Sequence, residues 1–202
     1  MVQVPLRANS LCLQIPEQLT LQVTPEQFAE LVAANRELRL ERTATGELLM
    51  NPPTGGKTGK RNSKITYFLA RWIEEEGGNG ESFDSSTGFE LPNGANRSPD
   101  AAWVRQDRWD ALTLEQQEGF IPLCPDFVVE LRSKTDIPKD LRAKMAEYMA
   151  NGAQLGWLID PKNKRVEIYR SGKDVEVLEN PTKVSGEFVL PKFILSLKRI
   201  WT

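Results

Sequence analysis

Apolar residues recur along this chain at two spacings, and the switches between them mark its elements. From Pro25, the residues Phe28, Leu31, Val32 and Leu38 fall at helical spacing, which predicts a helix over about Pro25–Arg39 with one face packed inward. Thr24 and Gln27 supply a capping box, and Pro25 suits the first turn. Leu38–Arg42 and Glu47–Met50 then read as a hairpin around Thr43-Ala44-Thr45-Gly46. After the loop Asn51-Pro52-Pro53-Thr54-Gly55-Gly56 a second helix, about Gly59–Glu76, carries Ile65, Phe68, Leu69, Trp72 and Ile73 as its apolar stripe.

The middle of the chain changes to strand-like runs. Glu81–Leu91 and about Pro99–Val104 read as a pair joined by the turn Pro92-Asn93-Gly94. Asp107–Leu114 reads as a short surface helix. Phe127–Leu131 is continuous and apolar except for Glu130, the pattern of a strand buried on both faces. Pro138–Asn151 is a helix ended by Gly152, and Leu155–Ile159 is a second buried strand stopped by Asp160-Pro161. Arg165–Tyr169 and Asp174–Leu178 form a hairpin-like pair, and apolar sequence continues from Phe188 to Trp201. No repeat or clear linker interrupts this order, so the expectation is one domain over residues 1–202.

Composition narrows the chemistry. The 202 residues are 40% hydrophobic and 27% charged with a net charge of −2, an ordinary balance for a soluble protein and a poor one for coating nucleic acid. No apolar run is long enough to span a membrane, and Met1–Leu13 lack the pattern of a signal peptide. Cys12 and Cys124 belong to no CxxC and are read as free thiols in a reducing cytoplasm. The chain has no histidine, which excludes Ser-His-Asp triads and zinc-histidine centres. Catalysis would rest on carboxylates, Lys, Arg, Tyr, Ser or Cys.

Three separated pieces then stand out: Ser98-Pro99-Asp100, Glu130 with Arg132 at the end of the buried strand, and Lys144 in the following helix. Two carboxylates and a lysine gathered at buried segments form a minimal kit for holding a divalent metal and hydrolysing a phosphodiester. Asp126 precedes Glu130 by four residues, roughly 13 Å along a strand, too far to share one ion. It is read as a solvated or capping strand-start residue. Asp100, on another strand, can converge with Glu130. Lys144 falls inside the narrow stripe of Leu141, Met145 and Tyr148, either snorkelling over Tyr148 or pointing at the carboxylates.

Taken in order, Ser98-Pro99-Asp100-Ala101-Ala102-Trp103-Val104, Pro125 to Ser133, Lys144 to Tyr148, and Gly152 to Asp160 resemble a bacterial restriction endonuclease family of the PD-(D/E)XK nuclease superfamily, long called a domain of unknown function. The resemblance implies an α/β (α+β) fold with a restriction-endonuclease-like αβββαβ core at about residues 47–160. A mixed sheet would be flanked by helices, with an extra N-terminal helix and C-terminal strands. It implies a metal-dependent nuclease acting on nucleic acid, DNA in the first instance, with Mg²⁺ or Mn²⁺ at Asp100 and Glu130. Arg132 occupies the position where the superfamily usually has lysine, and Lys144 matches a lysine moved to the next helix. Glu47 is the nearest upstream acidic candidate, and Asn62 stands where this family commonly has histidine.

Two further readings complete the expectation. Gly55-Gly56-Lys57-Thr58-Gly59-Lys60 mimics a phosphate-binding loop, but Asn51 stands where the motif requires glycine, so no nucleotide cofactor is expected. Lys57, Lys60, Arg61 and Lys64 concentrate charge at a helix start, either as a solvated loop or as a contact to the nucleic acid backbone. The apolar strands after Asp160 need cover, from the first helix or from a second copy in a homodimer. Two other function classes stay open: a non-cleaving nucleic-acid-binding module, and a structural or partner-binding protein whose charged cluster is an ion-pair network.

Overall fold

Thr24 sets the first element: its hydroxyl accepts from the Gln27 N–H while the Gln27 side chain accepts from the Thr24 N–H. The computed structural model describes residues 20–202 and places this helix, α1, at Pro25–Ala34. Cys12 and Met1–Leu13 lie outside the described residues. α1 ends before Arg39 because Asn35 folds back, its side chain donating to the Leu31 carbonyl. Strands β1 (Arg39–Arg42) and β2 (Leu48–Asn51) form the expected antiparallel hairpin. α2 (Gly56–Glu76) starts three residues earlier than its apolar stripe suggests, so Lys57 and Thr58 belong to its first turn rather than to a loop. Gly77, with φ +76°, supplies the left-handed residue that ends it.

The run Glu81–Leu91 is two strands rather than one. β3 (Gly80–Asp84) stops where the Asp84 carboxylate accepts from the Ser86 N–H and hydroxyl, a local turn that competes with the sheet ladder. β4 (Phe89–Glu90) and β5 (Asn96–Arg97) pair around Pro92-Asn93-Gly94, whereas β3 pairs with β6 (Ala101–Arg105). Two one-turn helices, α3 (Gln106–Asp110) and α4 (Leu114–Glu118), replace the single surface helix, because Thr113 starts a new capping box. β7 (Phe127–Leu131), α5 (Pro138–Ala150) and β8 (Leu155–Asp160) follow as expected, then β9 (Arg165–Arg170) and β10 (Glu176–Glu179). β11 (Lys183–Ser185), β12 (Ile194–Ser196) and a 3-10 turn at Leu197–Arg199 close the described chain.

The main sheet has the order β10-β9-β8-β7-β6-β3, antiparallel throughout except for the parallel β7–β8 pair that α5 connects. Reading α2, β3, β6, β7, α5 and β8 in sequence gives an αβββαβ core, with helices flanking a mixed sheet. The β4–β5 hairpin is an insertion that joins β1 and β2 in a second sheet, β2-β1-β5-β4. Alternation along β7 sorts its side chains to two faces. Phe127, Val129 and Leu131 pack with Ile65, Leu69 and Trp72 of α2, while Val128 packs with Met145 and Tyr148 of α5. Glu130 therefore shares the α5 face.

The C-terminal apolar residues find their cover within the chain. Val184, Leu190, Phe193, Leu195, Leu197 and Ile200 join the α2 side of the core, and Phe193 stacks on Trp157 at 5.8 Å. Trp72 Nε1 donates to the Pro191 carbonyl at 2.8 Å. The cover comes from α2 and the main sheet, not from α1; Phe188 and Ile194 are the exceptions and stay exposed.

Candidate functional site

The hairpin β1, the chain just before β6, the end of β7 and the middle of α5 meet at a cleft of about 470 Å³. Arg39, Glu41, Asp100, Glu130 and Lys144 all line it, together with Thr58 from the first turn of α2 and the Ser133–Asp136 loop. β1 supplies two of these because residues two apart on a strand share a face, here Arg39 and Glu41. α5 supplies Lys144 one turn from Tyr148, and both point down onto Glu130.

Lys144 Nζ lies 2.9 Å from Glu130 Oε1 and 3.0 Å from Glu41 Oε1. Its stem does not carry the ammonium into bulk water; the side chain is 14% exposed. Tyr148 donates its hydroxyl to the same Glu130 oxygen at 3.0 Å, so both contacts fall on Oε1. Asp100 is held from two sides: Asn62 Nδ2 donates to Oδ1 at 2.8 Å and the Leu131 N–H donates to Oδ2 at 2.8 Å. Arg39 Nη1 stands 4.0 Å from Asp100 Oδ1, while its Nη2 donates to the Ser98 carbonyl at 2.6 Å. Behind Glu41, Arg97 joins its Oε2 at 3.3 Å and Glu147 at 2.6 Å.

The electrostatics follow from three carboxylates sharing a buried space. Burial pushes the Glu130 carboxyl up to about 7; Lys144 opposes this, and the charges of Asp100 and Glu41 add to it. Burial likewise raises the Asp100 carboxyl above its ordinary range, only partly offset by the Leu131 N–H, Arg39, Lys144 and Asn62. Glu41 goes the other way: burial would raise it, but Lys144, Arg97 and Arg39 together hold it below the usual carboxylate range. Burial would depress the Lys144 ammonium, yet Glu130 and Glu41 outweigh it and keep its affinity for the proton above normal. The two carboxylates thus favour the charged form of Lys144.

Several sequence-predicted residues stand elsewhere. Arg132 turns out of the cleft, its Nη1 2.6 Å from Asp160 Oδ2, because β7 ends at Leu131 and the carboxylate at the end of neighbouring β8 captures it. Arg39 is the arginine at the cleft instead. Glu47 sits beside Gln22 in an isolated bridge away from the cleft, and Glu41 is the upstream carboxylate that lines it. Asp126 is not solvated: it is buried, accepts from the Arg105 N–H and pairs with Arg108 at 2.9 Å. The basic cluster divides. Arg61 Nε and Lys64 Nζ donate to the carbonyls of Ile200 and Arg199, tying α2 to the C-terminal turn, while Lys57 and Lys60 remain exposed.

A family model for Uma2, described as "Putative restriction endonuclease", matches residues 25–198. The chain belongs to that family. Among solved structures the Uma2 chain is similar to a crystal structure described as a putative nuclease belonging to DUF820, from Anabaena variabilis ATCC 29413. The likeness has a TM-score of 0.74 at 21% identity and covers 89% of this chain and 97% of that one, a likeness of fold. No curated protein matches. The family description supports a nuclease, and the structural likeness shows the fold.

Sequence reasoning missed Glu41, Arg39, Arg97 and Tyr148 as members of the cluster. Three of the four residues of β1 are charged, which reads as a solvent-facing edge, whereas Arg97 of β5, Lys144 of α5 and Asn51 of β2 close over Glu41. Tyr148 gave a signal in lying one helical turn from Lys144.

Among the described residues no group of three carboxylates, histidines or cysteines is placed to hold one ion. The donor set is nevertheless one that Mg²⁺ accepts, since that ion commonly takes one or two carboxylates and keeps several waters. Asp100 and Glu130 present hard oxygens to the cleft, and the elevated Glu130 value marks a buried carboxylate that its present cations do not fully compensate.

Proposed function

We propose that this chain is a metal-dependent nuclease that hydrolyses phosphodiester bonds of nucleic acid, DNA in the first instance, at the Asp100–Glu130–Lys144 cleft. The observation that carries the reading is the Lys144 ammonium, 2.9 Å from Glu130 in a cleft that Asp100 also lines. Asp100 and Glu130 would hold Mg²⁺ or Mn²⁺, with the Leu131 carbonyl as a third oxygen. Such an ion, when bound, lowers the pKa of its water and offsets charge on the phosphate. Lys144, protonated and held by Glu41 and Glu130, stabilises negative charge developing on the phosphoryl oxygens. Arg39, beside Asp100, supports the incoming phosphate, and Asn62 fixes the Asp100 carboxylate through its N–H. Lys57 and Lys60, exposed in the first turn of α2, contact the backbone further out.

Among the described residues no helix is long and apolar enough to cross a membrane. The free, buried Cys124 suits a reducing compartment, and we assign the protein to the cytoplasm on that chemistry. A second reading has its own support. Lys144 already joins Glu41 and Glu130, and a buried ion-pair network with no cleavage would look the same at that contact. Incubation of plasmid and oligonucleotide substrates with Mg²⁺, Mn²⁺ or EDTA decides between them. Cleavage that needs the metal and disappears in Asp100→Asn supports the nuclease; no cleavage, with no calorimetric metal binding, leaves the network.

A further inference from the structure

The cleft does not end at Arg39. A second groove of about 600 Å³ adjoins it, sharing Arg39, Asn51, Pro52, Pro53 and Thr54 as a common wall. Its lining is mostly apolar. Leu38 and Met50, 49% and 56% exposed, lie open in it, and Phe120 closes one end. Charge at the rim is Arg36 and Arg39 against Glu37. Arg39 stands at the junction, near Asp100 on one side and facing the groove on the other.

A volume of this size suits one or two nucleotides. A continuous duplex offers nothing to an apolar groove, because its outward surface is phosphate and sugar. An unpaired base offers a flat apolar face, and burying that face against exposed aliphatic side chains is favourable whatever the sequence. Resting on the nuclease reading above, we propose that this groove seats the unpaired nucleotide flanking the scissile phosphate. The substrate is then a nucleic acid that is single-stranded at the cut, with its base on Leu38 and Met50 and its flanking phosphates on Arg36 and Arg39.

Fluorescence anisotropy in EDTA tests this without requiring cleavage. The probes are a short fluorescein-labelled oligothymidylate and a duplex of equal length. The single strand binds about tenfold tighter than the duplex, and a Leu38→Ala/Met50→Ala double variant weakens it about five- to tenfold, leaving duplex binding unchanged. Because both side chains are exposed, the variant keeps its thermal unfolding curve. Arg36→Gln, on the rim, provides a second check by lowering the salt dependence of single-strand binding by about one counterion. Equal or tighter binding of duplex overturns the proposal, as does a folded double variant that binds the single strand like the parent. Absence of metal-dependent cleavage, with these binding differences intact, removes the nuclease reading and leaves the groove assignment standing.

Discussion

At the residue scale the site rests on how each carboxylate is held. Both Asp100 oxygens accept an N–H, from Asn62 and from Leu131, whereas Asn62 Oδ1 is buried without a partner. Asp100→Asn therefore costs little stability. The new amide oxygen accepts from Leu131, and a flip of Asn62 lets its orphan oxygen accept from the new N–H. Metal-dependent cleavage falls by about 100-fold or more while the unfolding free energy stays within about 1 kcal/mol, as denaturant titration reports. Lys144→Met behaves oppositely. It strands Glu41 and Glu130 together without their shared cation, so stability falls by about 3 kcal/mol along with activity, again read by denaturant titration. Cys124 makes a simpler case: burial pushes its thiol up to about 12. In a Cys12→Ser background the folded protein stays inert to a thiol-specific disulfide reagent at pH 8, and adding denaturant releases one reactive thiol per chain.

At the element scale, the junction of β7 and β8 explains why Arg132 stabilises the fold and does not face the cleft. Burial raises the Asp160 carboxyl, but Arg132 and the N–H groups of Asn163 more than offset this and hold it below the ordinary range. A depressed carboxylate contributes stability that is fully present above its unfolded value, about 3.9, and is lost as pH falls through the folded one. Arg132→Met removes the Arg132 share of the depression and leaves that of Asn163, so the acid unfolding midpoint moves to higher pH while cleavage at neutral pH changes by less than about threefold. Circular dichroism against pH checks the first half, and an oligonucleotide assay the second.

The same elements show what was legible in advance. β7, α5 and β8 carry their own evidence, because a strand buried on both faces and a helix with a narrow stripe are written in local spacing. Lys144 stood out as a charge inside such a stripe. Glu41 did not stand out, and Arg61 stood out only as part of a basic cluster, because what defines both lies far along the chain. Arg97 and Lys144 enclose Glu41, and the Ile200 carbonyl receives Arg61. The break in Glu81–Leu91 does carry a local signal: Asp84-Ser85-Ser86-Thr87-Gly88 is a run of turn-forming residues, and the Asp84–Ser86 hydrogen bond closes that turn.

At the scale of the whole molecule, the expectation of a homodimer rests on apolar C-terminal strands that require cover; α2 with the main sheet covers most of them and leaves Phe188 and Ile194 exposed. The edges of the main sheet are also guarded. β10 carries Glu176 and Glu179, which pair with Arg170 and Arg165, and β3 at the other edge ends in the Asp84 turn. Val175 and Val177 on the β10 side are exposed but separated by Glu176, which interrupts the apolar surface at that edge. With most of that core closed within one chain, the expected outcome of sedimentation at micromolar concentration is one species at 22.8 kDa. A monomer brings one cleft to the substrate, with no two-fold partner to address the opposite strand of a duplex. Supercoiled plasmid, cut where torsional strain opens the strands, is therefore nicked to open circles before linear product accumulates. A dimer peak, or linear plasmid appearing without the nicked form, contradicts this account.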